Sequence, residues 1–72
     1  MSSNFSRTIL KSRREFLNFS HLDVVKRLYE VGVNISDDTL RNWESGETVP
    51  DADKLPALAE VLKCKVHEFY NG

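Results

Sequence analysis

Seventy-two residues, 40 % of them hydrophobic and 29 % charged, describe one small globular domain: too short for two cores and too apolar for a disordered chain. A single cysteine, Cys64, excludes an internal disulfide, and no stretch nears the roughly 20 apolar residues that span a bilayer. The net charge of −1 is unevenly placed, with six bases against two acids in residues 1–28 and four against nine in residues 29–72. That polarity can turn one basic face to a polyanion while the rest of the surface stays acidic. One thiol and an N-terminus without the apolar run of an export signal lead us to expect a soluble, cytoplasmic protein.

Residues 1–4 read as a flexible arm and residues 5–72 as the single domain. Phe5–Leu17 lacks Gly and Pro and carries Phe5, Ile9, Leu10, Phe16 and Leu17 among bases, which predicts a first helix. Ser6 is its N-cap, and its end falls near Asn18. Ser20, three residues before Asp23, predicts a capping arrangement for a second helix over His21–Val31, with Val24, Val25, Leu28 and Val31 on one face. Gly32 is placed to end it in the left-handed conformation, with Leu28 and Val33 in the accompanying apolar contact.

A third helix starts at Ser36 as N-cap, holds Asp37 and Asp38 in its first turn, turns Leu40 and Trp43 inward, and stops at Gly46. After the loop through Pro50, Asp51 or Asp53 caps a fourth helix whose Leu55, Leu58, Ala59 and Leu62 form an apolar stripe. Pro56 is tolerated there because it lies near the start. Lys65–Tyr70 reads as a last short turn of helix, with Val66, Phe69 and Tyr70 packing back. The expected fold is therefore all-α: a compact, orthogonal bundle of five short helices.

The stretch Ile35-Ser36-Asp37-Asp38-Thr39-Leu40-Arg41-Asn42-Trp43-Glu44-Ser45-Gly46, then Val49-Pro50 and the Leu55/Leu58/Ala59/Leu62 stripe, resembles the lambda repressor/Cro-like, or XRE, helix-turn-helix family. Leu10–Glu15 with Phe19-Ser20-His21 is similar to that family's opening, and Leu62–Phe69 to its closing segment. The resemblance implies a bacterial or phage transcriptional regulator, a repressor, that binds double-stranded DNA sequence-specifically. Its recognition helix, about 36–45, would lie in the major groove. Arg14 matches the helix-one arginine of the family and Glu44 the glutamate that pairs with it, which implies a structural pair locking two helices.

Three features depart from the family pattern. Leu28 and Leu40 are twelve residues apart, wider than the family's tight spacing, so either the second helix is longer or the turn after it is wider. Asp37 and Asp38 occupy the leading end of the recognition helix, where carboxylates repel phosphates, although an aspartate can accept from cytosine N4. Arg13 stands where the family usually has an apolar residue.

DNA affinity comes mostly from phosphate contacts and specificity from base edges. The family's base-facing positions map to Asp37, Asp38, Thr39, Arg41 and Asn42. By chemistry Arg41 suits guanine, Asn42 adenine, and Thr39 a thymine methyl. Ser20 and His21 open the second helix, where backbone N–H groups suit a phosphate, and His21 stands at a frequent glutamine position of the family. Lys26 and Arg27, with Arg7 and Lys11, are candidate phosphate anchors. A homodimer on a palindromic site is expected, through the last helix with Phe69 or Tyr70 exposed.

The rival reading keeps the same bundle but gives it a protein partner, as an interaction module or an antitoxin-like accessory regulator with weak or no DNA binding; the acidic tip and low net charge favour it. An enzyme is not expected. There is no Gly-rich phosphate loop, no His-x-x-x-His and no Cys-x-x-Cys, and no cofactor or metal site is read. Cys64 reads as an inert core thiol.

Overall fold

The computed structural model describes residues 5–70, so the arm expected at 1–4 lies outside the described residues. Four α-helices follow one another: α1 (Arg7–Phe16), α2 (His21–Glu30), α3 (Asp37–Ser45) and α4 (Leu55–Leu62). A 3-10 turn, Ala52–Lys54, leads into α4, and a 3-10 segment, Val66–Tyr70, closes the described chain. The fifth helix is thus corrected to a 3-10 segment. It is short enough for that tighter geometry, and Glu68 N–H reaches Lys65 O at 3.0 Å.

Local chemistry fixes where each helix begins. The hydroxyls of Ser6, Ser20 and Ser36 accept from the backbone N–H of Ile9, Asp23 and Thr39, each satisfying a donor left over by the first turn. At α2 the cap is reciprocal, because Ser20 N–H donates to the Asp23 carboxylate at 2.9 Å. This hydrogen bond, opposed in part by desolvation and helped by Arg27 and Lys26, holds the Asp23 carboxyl below its ordinary value of 3.8. A depressed folded-state value means the stabilisation is complete above pH 3.8 and is lost as pH falls through the lower folded value. Thermal unfolding from pH 6 downward should therefore show the wild type losing more stability than Asp23→Asn. Parallel curves would mean the box is idle.

The fourth helix begins differently from expectation. Neither Asp51 nor Asp53 caps α4: its N-cap is Lys54, and no side chain bonds there. The preceding 3-10 turn already takes the Lys54 N–H to Asp51 O at 2.9 Å, and Pro56 has no N–H, so fewer donors are left to cap.

All four α-helices end on a residue in the left-handed region: Asn18, Gly32, Gly46 and Lys63. After α2, Val33 N–H donates to Leu28 O at 2.8 Å and Gly32 N–H to Tyr29 O at 3.1 Å, the paired bonds of a Schellman ending. The chain then runs through residues 31–36 before α3 begins. The twelve-residue spacing of Leu28 and Leu40 is therefore taken up by a wider turn and not by a longer helix, since α2 has ten residues. Both leucines remain fully buried, and α2 still packs on α3.

The helix α3 lies between α1 and α2, while α4 packs against α2 and both 3-10 segments. Leu10, Val24, Leu28, Leu40, Leu58, Leu62 and Phe69 are fully buried, with Trp43 close behind. Phe69 belongs to this core at 0 % exposure, which corrects the expectation that it lies exposed for self-association; Tyr70 is 39 % exposed. Phe69 is held because its ring meets Phe5 at 5.3 Å between centroids and its carbonyl accepts from Ser6 N–H.

Arg13 explains its own departure from the pattern. Its Nε and Nη2 donate to Leu62 O at 3.2 and 2.9 Å, and Nη2 also reaches Lys63 O at 2.9 Å. A cation thus closes the free carbonyls at the C-terminus of α4, where the helix dipole favours it. Its guanidinium also lies 5.1 Å from the Phe16 ring, an aromatic that is otherwise well exposed. Arg13→Ala should cost about 1–2 kcal/mol, read from the urea midpoint. An unchanged midpoint would show that solvent caps α4 equally well.

Candidate nucleic-acid interface

The placement of α3 follows from a division of its faces. Leu40 and Trp43 point into the core, and the opposite face carries Asp38, the adjacent Arg41 and Asn42, and Ser45, all exposed, with Asp38 and Ser45 each three or four residues from the central two. Thr39 is half-buried, and its hydroxyl lies 3.0 Å from that of Ser36. The side chains of Asp38 and Asn42 have no hydrogen-bond partner among the described residues, so both are available to a ligand.

The register of α3 is set by a buried ion pair. Arg14 is 9 % exposed, and its Nε donates to Glu44 Oε2 at 2.6 Å while Nη2 donates to Oε1 at 3.1 Å. The two bonds form a bidentate fork, and Nη1 donates to Phe19 O at 2.9 Å. His21 Nε2 donates to the same Glu44 Oε1 at 3.1 Å. One carboxylate on α3 therefore ties down the end of α1 and the start of α2. Among the described residues no buried side-chain nitrogen or oxygen is left without a partner.

Where α2 and α3 begin, Ser20, His21, Leu22, Asp37 and Arg41 line one open groove with Arg14 at its back. Four of the expected site residues, Ser20, His21, Asp37 and Arg41, are thus brought together there, with Thr39, Asp38 and Asn42 continuing along α3. Leu22, 54 % exposed, was not read as a site residue from sequence, because an apolar residue in a helix's first turn carries no chemical signal. Arg41 Nε donates to Asp37 Oδ2 at 2.7 Å, four residues earlier on the same helix. That hydrogen bond, then the charges of Asp37, Asp38 and Glu44, hold the Arg41 guanidinium still more firmly in its charged form.

The other expected residues stand elsewhere. Lys26 is exposed on α2 outside the groove. Arg27 stacks over the Phe19 ring at 4.3 Å and lies beside Glu60 and Val61 of α4 and Lys63 just after it. Arg7 donates to the carbonyl of Ser45 and closes the end of α3 much as Arg13 closes α4; a Cβ at Gly46 would strike its guanidinium. Lys11 lines a second groove with Arg7, Thr8, Ser12 and Glu15 of α1 and Glu44 of α3, so two carboxylates share it with the two cations. At the start of α2 the Asp23 carboxylate already occupies the positive end of the helix and opposes a phosphate there. Cys64 is half-buried, and burial, followed by the Glu68 charge, pushes its thiol up and keeps it protonated near neutral pH.

Two short helices joined by a turn, the second presenting a polar outer stripe beside the start of the first, are the geometry of a helix-turn-helix. A helix-turn-helix family model matches residues 30–69, from the last residue of α2 into the closing 3-10 segment. The chain belongs to this family, in its XRE or lambda repressor-like form, a class of DNA-binding regulators. Neither the curated proteins nor the solved structures contain a match. No helix among the described residues is long and apolar enough to cross a membrane.

Proposed function

We propose that this protein is a cytoplasmic, sequence-specific DNA-binding regulator, a transcriptional repressor of bacterial or phage type, that reads the major groove with α3. The observation that carries the reading is the exposed Asp38/Arg41/Asn42/Ser45 stripe, set on a helix whose inner face is locked by the Arg14–Glu44 pair. Arg41 carries the paired donors that match guanine O6 and N7, and Asn42 the donor and acceptor that match adenine N7 and N6. His21 and Ser20 flank the stripe from α2, and Lys11 and Lys26 are exposed cations for phosphate contacts. A monomer with so short a reading surface contacts few base pairs, so the active form is a homodimer on a palindromic site, with Tyr70 at the self-association surface.

The double substitution Arg41→Ala plus Asn42→Ala tests the reading. Both side chains are exposed, so the helical circular dichroism should be unchanged while preference for a selected duplex over a scrambled one disappears. Preserved preference would contradict the assignment of α3 as the reader. The second reading, an interaction module with a protein partner, is favoured by Asp37 and Asp38 at the tip of α3, which repel phosphate. It predicts that the wild type prefers no duplex and is not retained on heparin at moderate salt.

A further inference from the structure

We propose that Asp37 is a positioning residue for Arg41, aiming its guanidinium end-on at a single guanine and converting a cation that could grip any phosphate into a base reader. The inference rests on the DNA-reading function proposed above. It starts from the pair itself, Arg41 Nε to Asp37 Oδ2 at 2.7 Å across one turn of α3. A guanidinium has five N–H donors in a planar fork, and Asp37 takes the one on Nε. The four donors on Nη1 and Nη2 remain, and no other side-chain hydrogen bond engages them among the described residues. That free end matches the O6 and N7 acceptors that guanine presents in the major groove.

Asp37 is itself well fixed. It is the first residue of α3, just after the Ser36 cap, where a carboxylate is favoured by the helix dipole. The pair is exposed, Arg41 at 58 % and Asp37 at 42 % of the side chain, so in the free protein it is screened by water and adds little to the fold. When DNA covers the groove, water leaves and the same contact strengthens. Its effect therefore falls on recognition. The Asp37 charge also reduces the pull of Arg41 on phosphate, which lowers affinity for DNA in general. The acidic tip, a handicap for binding any duplex, becomes a device for choosing one.

The test is selection from a randomised duplex pool by the wild type, Arg41→Ala, Asp37→Ala and Asp37→Asn, with thermal unfolding of each variant. The wild type should enrich guanine at a position that Arg41→Ala no longer selects. Asp37→Ala should cut that guanine preference by roughly tenfold while leaving the other selected positions in place. It should also raise affinity for scrambled duplex, the opposite direction to its effect on preference, which a merely structural substitution would not produce. Asp37→Asn, which keeps an oxygen acceptor but not the charge, should recover part of the guanine preference. Full guanine preference in Asp37→Ala, or no guanine dependence on Arg41, would overturn the positioning role alone. Enrichment of no sequence by the wild type would overturn the DNA-reading function and this inference with it.

Discussion

Glu44→Ala is expected to lower stability by about 3–5 kcal/mol, enough to bring a chain of this size close to half unfolded. The carboxylate is 7 % exposed and takes two bonds from Arg14 and one from His21. Removing it leaves the Arg14 guanidinium, itself 11 % exposed, with only the solvent-exposed Glu15 carboxylate at 3.9 Å as a counter-charge. The cost is the stranded cation more than the lost attraction, because a buried ion pair is weak evidence of net stability while a broken one is strongly destabilising. Glu44→Gln keeps one acceptor and the volume, so it should fall between wild type and alanine. Urea unfolding measures both. A loss under about 1 kcal/mol in Glu44→Ala would mean that solvent reaches Arg14 and that the pair does not set the register of α3.

Phe69→Ala is the second large effect, about 3–5 kcal/mol, or a fall in Tm of roughly 12 °C or more for a domain this small. The ring is fully buried and packs against Phe5 at a tilt of 33°, so truncation leaves a cavity between the start of α1 and the closing 3-10 segment. That segment has one turn's worth of hydrogen bonds of its own and depends on this anchor. Both ends of the described chain meet here, since the Phe69 carbonyl also accepts from Ser6 N–H at 2.6 Å. A fall in Tm below about 4 °C would show the segment to be peripheral to the fold.

The helix starts were legible in the sequence because serine caps act locally: Ser6, Ser20 and Ser36 each bond a donor three residues on. Gly32 and Gly46 were legible for a similar reason, since each follows a periodic apolar run and stands at a left-handed position. Asn18 and Lys63 adopt the same conformation, and Lys63 carried no such signal because lysine rarely sits there. The start of α4 is not legible in the sequence, because a 3-10 turn closed by Lys54 N–H to Asp51 O stands where an aspartate side-chain cap is expected.

What lay furthest from the sequence was long-range chemistry between charges and carbonyls. Arg7 looks like a phosphate-binding cation and Arg13 like a misplaced charge at an apolar position, yet Arg13 reaches Leu62 O and Arg7 Ser45 O, across 49 and 38 residues. Nothing local marks a backbone carbonyl as their partner. The sequence allows Phe69 either to pack back or, with Tyr70 as the alternative, to lie exposed; only the fold, which brings Phe5 against its ring, decides for packing. The outer stripe of α3 was visible as residue types, but the Asp37–Arg41 bond shows that two residues weighed singly as base contacts are one unit.

The most direct test is fluorescence anisotropy of the wild-type protein with duplex DNA from the region upstream of its own gene, beside a scrambled duplex, at two salt concentrations. A DNA reader should bind with sub-micromolar affinity, favour the native sequence and weaken steeply as salt rises. Weak binding without preference between the two duplexes would contradict a DNA-reading function and leave the acidic tip of α3 as the surface of a protein-binding module.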